Sequence, residues 1–282
     1  MTATRPESRR TWTRYVAIGD SFTEGMADAD PAHPDAYVGW ADRLATALDA
    51  LAEAEHLPFG YANLAVRGRT LSDVVGPQLD AAMTMTPDLV SMVGGGNDLL
   101  RPTVDLDALA TRLEQAVVRI RATGADVLLA TPTDTRDAGL FRALRARHAV
   151  HTANLFTIAQ DHGCHVLNLW GMRALRDWRM WAEDRIHLTS EGHRRVALAA
   201  LAALGQETDA EQWATPLPPA DRATRAEELR GHAAWVRTHA APWVERRLRG
   251  TSSGDARAAK RPTLQRLRDP DRPPGGQQLP DH

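Results

Sequence analysis

Lysine is almost missing from this sequence: of its 34 basic residues only Lys260 is a lysine, and the arginines lie scattered among acids. That pattern is a compositional habit, not a phosphate-tracking stripe, so nucleic acid is not expected as a partner. Cysteine is limited to Cys164, which excludes a disulfide within the chain. Its place in the apolar "GCHVLNLW" reads as a small buried hydrophobe, not a reactive thiol. No run approaches the about 20 apolar residues that a helix needs to cross a bilayer. The opening "MTATRPESRRTWTRYVAIGD" lacks the roughly 7–15-residue apolar stretch of a secretory signal, so a cytoplasmic location is expected. Two nucleotide signatures are also missing, the Gly-Lys-Ser/Thr of a P-loop and a Gly-x-Gly-x-x-Gly after a strand.

What is present is ordinary for a soluble globular protein: 282 residues, 43% of them hydrophobic and 25% charged, enough to bury a sizeable core. The formal charge of -2 hides an asymmetry, with 21 basic against 28 acidic residues in 1–220 and 13 against 8 in 221–282. Five apolar runs recur: "RYVAIGD" at 14–20, "GYANLAV" at 60–66, "DLVSMVGG" at 88–95, "ADVLLAT" at 125–131 and "CHVLNLW" at 164–170. Helical periodicity fills the segments between them, including "LSDVVGPQLDAAM", and a last helix opens at Thr189 or Ser190 as cap. Near-continuous apolar strands alternating with helices predict a mostly parallel sheet with helices on both faces, a three-layer α/β/α sandwich.

The character changes late in the chain. Residues 12–205 form the expected domain, 206–250 a proline-rich connector and helical extension, and 251–282 a tail expected to be disordered. Leu229, Ala233, Val236 and Ala240 share one helical face, which Pro242 should end. Trp235 and Trp243 are expected to fill the contact with the main domain. A lid over a site, a dimer contact and a basic membrane-surface helix are the alternatives, the last disfavoured by Glu227, Glu228 and Glu245.

Four short stretches follow strand ends, where open α/β sheets bind their ligands. They are "GDSFTEG" at 19–25, Gly68 in "NLAVRG", "GGND" at 95–98 and "DRIH" at 184–187. A serine needs a base within hydrogen-bond reach, and the base needs an orienting carboxylate. Asp184 and His187, three apart on a loop, can place a carboxylate on one imidazole nitrogen and leave the other free. The N–H groups of Ser21 and Gly68 and the Asn97 amide would supply three oxyanion donors. Ser21 also opens a helix, where partial positive charge favours an anion.

In this order and spacing the four blocks resemble those of the SGNH hydrolases, also called GDSL esterases and lipases, over about residues 14–203. The resemblance implies a flavodoxin-like five-stranded parallel sheet, Ser21 as nucleophile, His187 as base oriented by Asp184, and Gly68 and Asn97 as oxyanion donors. Residue 22 is Phe where the GDSL name has Leu, which does not touch the chemistry. The stretch beyond 205 lies outside the resemblance and inherits nothing from it. The Gly-x-Ser-x-Gly elbow of α/β-hydrolases is absent.

The expected function is therefore cofactor-independent hydrolysis of a small-molecule ester of small or medium acyl chain, with no metal. An acyltransferase or acyl thioesterase using the same site is the alternative, and a nucleotide-binding or structural module the remote one. Among neighbouring residues, Asp20 is read as bracing the turn, Asp98 as bracing the Asn97 loop and His193 as a surface or packing residue. Arg67 and Arg69, which flank Gly68, are read as solvated loop arginines, with contact to a substrate carboxylate as the alternative. Asp28, Asp30, His33 and Asp35 make a polar loop without a calcium-site pattern. Oligomeric state is not legible.

Overall fold

The apolar runs become strands because each can be buried on both faces. In the computed structural model, which describes residues 10–31, 36–218, 235, 237–238, 254 and 257–267, five of them are β1 (Arg14–Ile18), β2 (Gly60–Asn63), β3 (Leu89–Met92), β4 (Asp126–Ala130) and β5 (His165–Leu167). Alternation along β1 shows the two-sided burial, with Tyr15 and Ala17 in one hydrophobic cluster and Val16 and Ile18 in the other. The five strands are parallel, in the order β5-β4-β3-β1-β2. The chain goes from β1 to β2 on one side and then crosses back to β3 on the other. Their carboxyl ends therefore open a crevice between β1 and β3.

Helices cover both faces. One layer holds α2 (Trp40–Ala54) and α8 (Ser190–Ala203), the other α6 (Leu106–Arg121) and α7 (Arg145–His162). Trp40, Leu44 and Leu48 turn the apolar side of α2 to the sheet. The Thr189 hydroxyl caps α8 by accepting from the Gly192 N–H at 3.3 Å, while Ser190 bonds Asp28 instead.

Three expectations need correction. The helix expected over "LSDVVGPQLDAAM" is broken into α3 (Leu71–Asp73), a wide turn at Val74–Gln78 and α4 (Leu79–Thr84). Pro77 lacks an N–H and forces the preceding residue from the helical region, and Gly76 accordingly takes φ -98 and ψ -106. The sheet has six strands, not five. The extra one, β6 (Arg261–Gln265), lies antiparallel on β2 and comes from the stretch after Thr251 that was expected to be disordered. Antiparallel addition at an edge needs only main-chain groups, so the polar sequence "RPTLQ" suffices there.

Lys260, immediately before β6, donates to Glu24 O at 2.7 Å, to Tyr37 O at 3.1 Å and to the Asp42 carboxylate. The same carboxylate accepts from the Gly39 N–H that precedes α2, at 2.9 Å. Gly254 is buried against the loop before Gly68, where a Cβ would collide with Arg67 O. The proline-rich connector contributes one helical turn, α9 (Glu211–Ala214), packed on α8. Leu229, Ala233, Val236, Ala240, Pro242 and Trp243 lie outside the described residues, as do His33 and Asp35. Among the described residues no helix is long and apolar enough to cross a membrane.

Candidate active site

Ser21 begins the single helical turn α1 (Ser21–Glu24), two residues after the Gly19 that ends the first apolar run. Asp20 caps that turn, its Oδ1 accepting from the Phe22 N–H at 3.0 Å, as expected of a turn-bracing residue. A four-residue helix has almost no macrodipole, so the charge effect expected at Ser21 reduces to the local N–H groups. Burial pushes the Asp20 carboxyl up to about 6, against the lowering effect of the Phe22 N–H and of nearby His187.

Past β2 the chain turns at Gly68, whose φ of +75 favours a residue without a Cβ. Arg67 is not the solvated arginine expected from the sequence. It is buried, its guanidinium forked onto the Glu24 carboxylate, its N–H 2.7 Å from the same carboxylate and its face over the Tyr37 ring at 5.2 Å. The pair ties the Gly68 turn to α1, so Ser21 and Gly68 are held by one ion pair. We expect Glu24→Gln to take from the Arg67 guanidinium and N–H the carboxylate they share, costing about 1.5–3 kcal/mol. Urea denaturation of the variant beside wild type checks this, and a loss under 1 kcal/mol would contradict it.

Asn97 sits in α5 (Gly96–Leu99), after β3. Its Nδ2 donates to Arg69 O at 3.0 Å and, more weakly, to Asp20 Oδ2 at 3.3 Å, which links the second and third strand ends to the first. Asp98 braces the same region by accepting from the Leu71 N–H at 2.8 Å. A residue that the sequence did not single out supports the loop from behind. Buried His151 on α7 faces Gly94 O with Nε2 at 3.2 Å, so that nitrogen carries the proton. Burial lowers its pKa to about 4, which keeps it neutral. A Cβ on Gly95, at φ +93, would come within 2.8 Å of that ring nitrogen. His148 lines the same wall one turn earlier, and the pair at i, i+3 on one helix was the available sequence signal.

Asp184 and His187 close the constellation. Asp184 Oδ2 lies 2.6 Å from His187 Nδ1, while its Oδ1 accepts from the N–H groups of Ile186 at 2.9 Å and His187 at 3.0 Å. Burial alone would raise the Asp184 carboxyl, but these three donors outweigh it and hold the group at about 2. The carboxylate therefore stays ionised and fixes the imidazole with Nε2 facing away. His193, six residues on, is a buried packing residue whose Nδ1 accepts from the Trp40 N–H at 3.2 Å. Asp28 is buried and paired with Arg43.

Ser21, Gly68, Asn97, Asp184 and His187 all line one cavity of about 690 Å³ above the carboxyl ends of the strands. No hydrogen bond joins the Ser21 hydroxyl to His187 among the described residues. The rest of the wall is mainly apolar, with Phe22, Leu100, Phe141, Leu144, Leu175 and Trp178 among its residues.

The sequence model of the GDSL-like lipase/acylhydrolase family matches residues 17–195, a span that holds all five of these residues. The chain belongs to that family. Membership places it among the carboxylic ester hydrolases, and the SGNH-type sheet agrees with solved relatives. LAE5, an alpha/beta hydrolase enzyme from the metagenome of Lake Arreo, superposes with a TM-score of 0.58 at 27% identity, over 68% of this chain and 95% of that one. A variant of Axe2, an acetyl xylan esterase from Geobacillus stearothermophilus, does so at 0.58 and 20%, over 70% and 96%. TesA gives 0.54 and 20%, over 67% and 97%. Nearly all of each relative is matched, whereas about a third of this acylhydrolase has no counterpart in them. No curated protein matches it in sequence.

Proposed function

We propose that this acylhydrolase cleaves carboxylic esters of small to medium acyl chain through Ser21, His187 and Asp184. The observation that carries the reading is a single cavity whose wall holds a strand-end serine and a 2.6 Å carboxylate–imidazole pair. His187 Nε2 takes the Ser21 proton as Oγ attacks the ester carbonyl. The oxyanion of the tetrahedral intermediate is received by the N–H groups of Ser21 and Gly68, which have no acceptor among the described residues. The Asn97 amide supplies the third donor by giving up its long 3.3 Å contact to Asp20. His187 then protonates the leaving alcohol, an acyl-Ser21 ester remains, and water activated by the same imidazole releases the acid.

Substrate size follows from the apolar walls. A pocket of this volume and lining takes an acyl chain well beyond acetyl. Each buried CH2 contributes about 0.8 kcal/mol, a factor of about four in kcat/KM if it is realised in the transition state. With p-nitrophenyl acetate, butyrate, octanoate and palmitate, kcat/KM is expected to rise from acetate to octanoate and fall for palmitate. A profile that peaks at acetate would refute the apolar acyl site. No hydrolysis of any ester would overturn the hydrolase reading itself.

A further inference from the structure

We infer that Trp235, contributed by the C-terminal extension, is a positioning residue for the Asp184–His187 pair; the inference rests on the proposed triad. The family match ends at residue 195, so Trp235 lies beyond it. Yet Trp235 is only 8% exposed, and its indole N–H donates to the main-chain oxygen of Asp184 at 2.9 Å. The acid that orients the base is thus held on its backbone by a residue from outside the matched domain.

The loop needs such a hold. Arg185, between the acid and the base, has φ +57, a left-handed conformation that a residue with a Cβ adopts only when its surroundings impose it. Its guanidinium lies over two indole rings, 5.0 Å from the Trp178 centroid and 5.4 Å from that of Trp235. One ring comes from the body and the other from the extension, and together they clamp the strained residue. On its far side Trp235 meets Phe141 edge-on, centroids 6.0 Å apart at 76°. Phe141 and Thr238 both line the cavity, so the extension reaches from the acid loop to the cavity wall. If Trp235 were withdrawn, Asp184 O would lose its donor and Arg185 half of its clamp. The 2.6 Å contact to His187 depends on the placement of that backbone.

The test uses the full chain with Trp235→Ala and Trp235→Phe. Phenylalanine keeps a ring over Arg185 and against Phe141 but cannot donate to Asp184 O. With p-nitrophenyl acetate, which scarcely fills the acyl site, kcat is expected to fall about fivefold in Trp235→Phe, the worth of one hydrogen bond. The fall should exceed tenfold in Trp235→Ala, with KM within about twofold of wild type in both. The downfield proton resonance of the Asp184–His187 hydrogen bond should broaden or move upfield in the same order. Purely structural packing would lower Tm and leave kcat and the resonance as in wild type, which would overturn the inference. Trp235→Phe decides the matter if Trp235→Ala does not fold. Inactive wild type would sink the esterase reading instead, and the resonance would still report on the positioning.

Discussion

Ser21→Ala is expected to lower kcat for ester hydrolysis by about 10⁴–10⁶ while leaving KM and thermal stability close to wild type. In the proposed mechanism the hydroxyl supplies the bond-forming atom, and no other group in the cavity replaces it at that place. Stability should hold because the Ser21 side chain makes no hydrogen bond among the described residues and is only partly buried, so alanine opens little void. A residual rate above the uncatalysed one is expected, since the proposed oxyanion donors Gly68, Asn97 and the residue 21 N–H remain. Burst-phase release of p-nitrophenol, the sign of an acyl-enzyme, should vanish with the mutation. If the variant kept a tenth of wild-type kcat, Ser21 would not be the nucleophile.

Asp184→Asn should be the next most damaging change, with kcat lower by about 10³–10⁴. The asparagine amide can present an N–H to His187 Nδ1, which turns the imidazole into the wrong tautomer and leaves its Nε2 protonated. The pH behaviour separates this from simple loosening. The Asp184 carboxyl titrates at about 2 in the folded protein, below its ordinary value of 3.8. A depressed carboxylate contributes stability that is fully present above the unfolded value and is lost as pH falls from about 4 through about 2. Solvent screening of the partly exposed carboxylate keeps that contribution to about 1–2 kcal/mol. The stability difference between wild type and Asp184→Asn should therefore shrink on acidification over that window. A difference that grew toward low pH would contradict the assignment of the carboxylate as the bound, ionised partner.

The strands were legible because burial on two faces demands continuous apolar runs, and the four strand-end blocks line one cavity where those runs stop. Asp20 and Asp98 could be read as braces because short acidic side chains next to a turn find nearby N–H groups. Other features depend on distant partners. Arg67 looked like a surface residue because nothing near it in sequence neutralises it; Glu24, 43 positions earlier, does so. His151 and Gly95 meet only when α7 packs behind β3, and the spacing of His148 and His151 along the helix does not by itself point to that contact. β6 escaped notice because an edge strand is held by main-chain pairing and does not need alternating apolar residues. Trp235 was read as packing on the body, but its position against Asp184 could not be known before the loop was folded.

The scarcity of lysine has a chemical consequence at the place where β6 begins. The chain carries one side-chain amine, that of Lys260, and in the folded protein it is shared among two carbonyls and a carboxylate. Acylating that nitrogen would remove its charge and most of its donors, so acylation and docking of the C-terminal strand exclude each other. Amine-directed reagents therefore have one side chain at which to act, and its reactivity reports on release of the contacts that anchor the start of that strand.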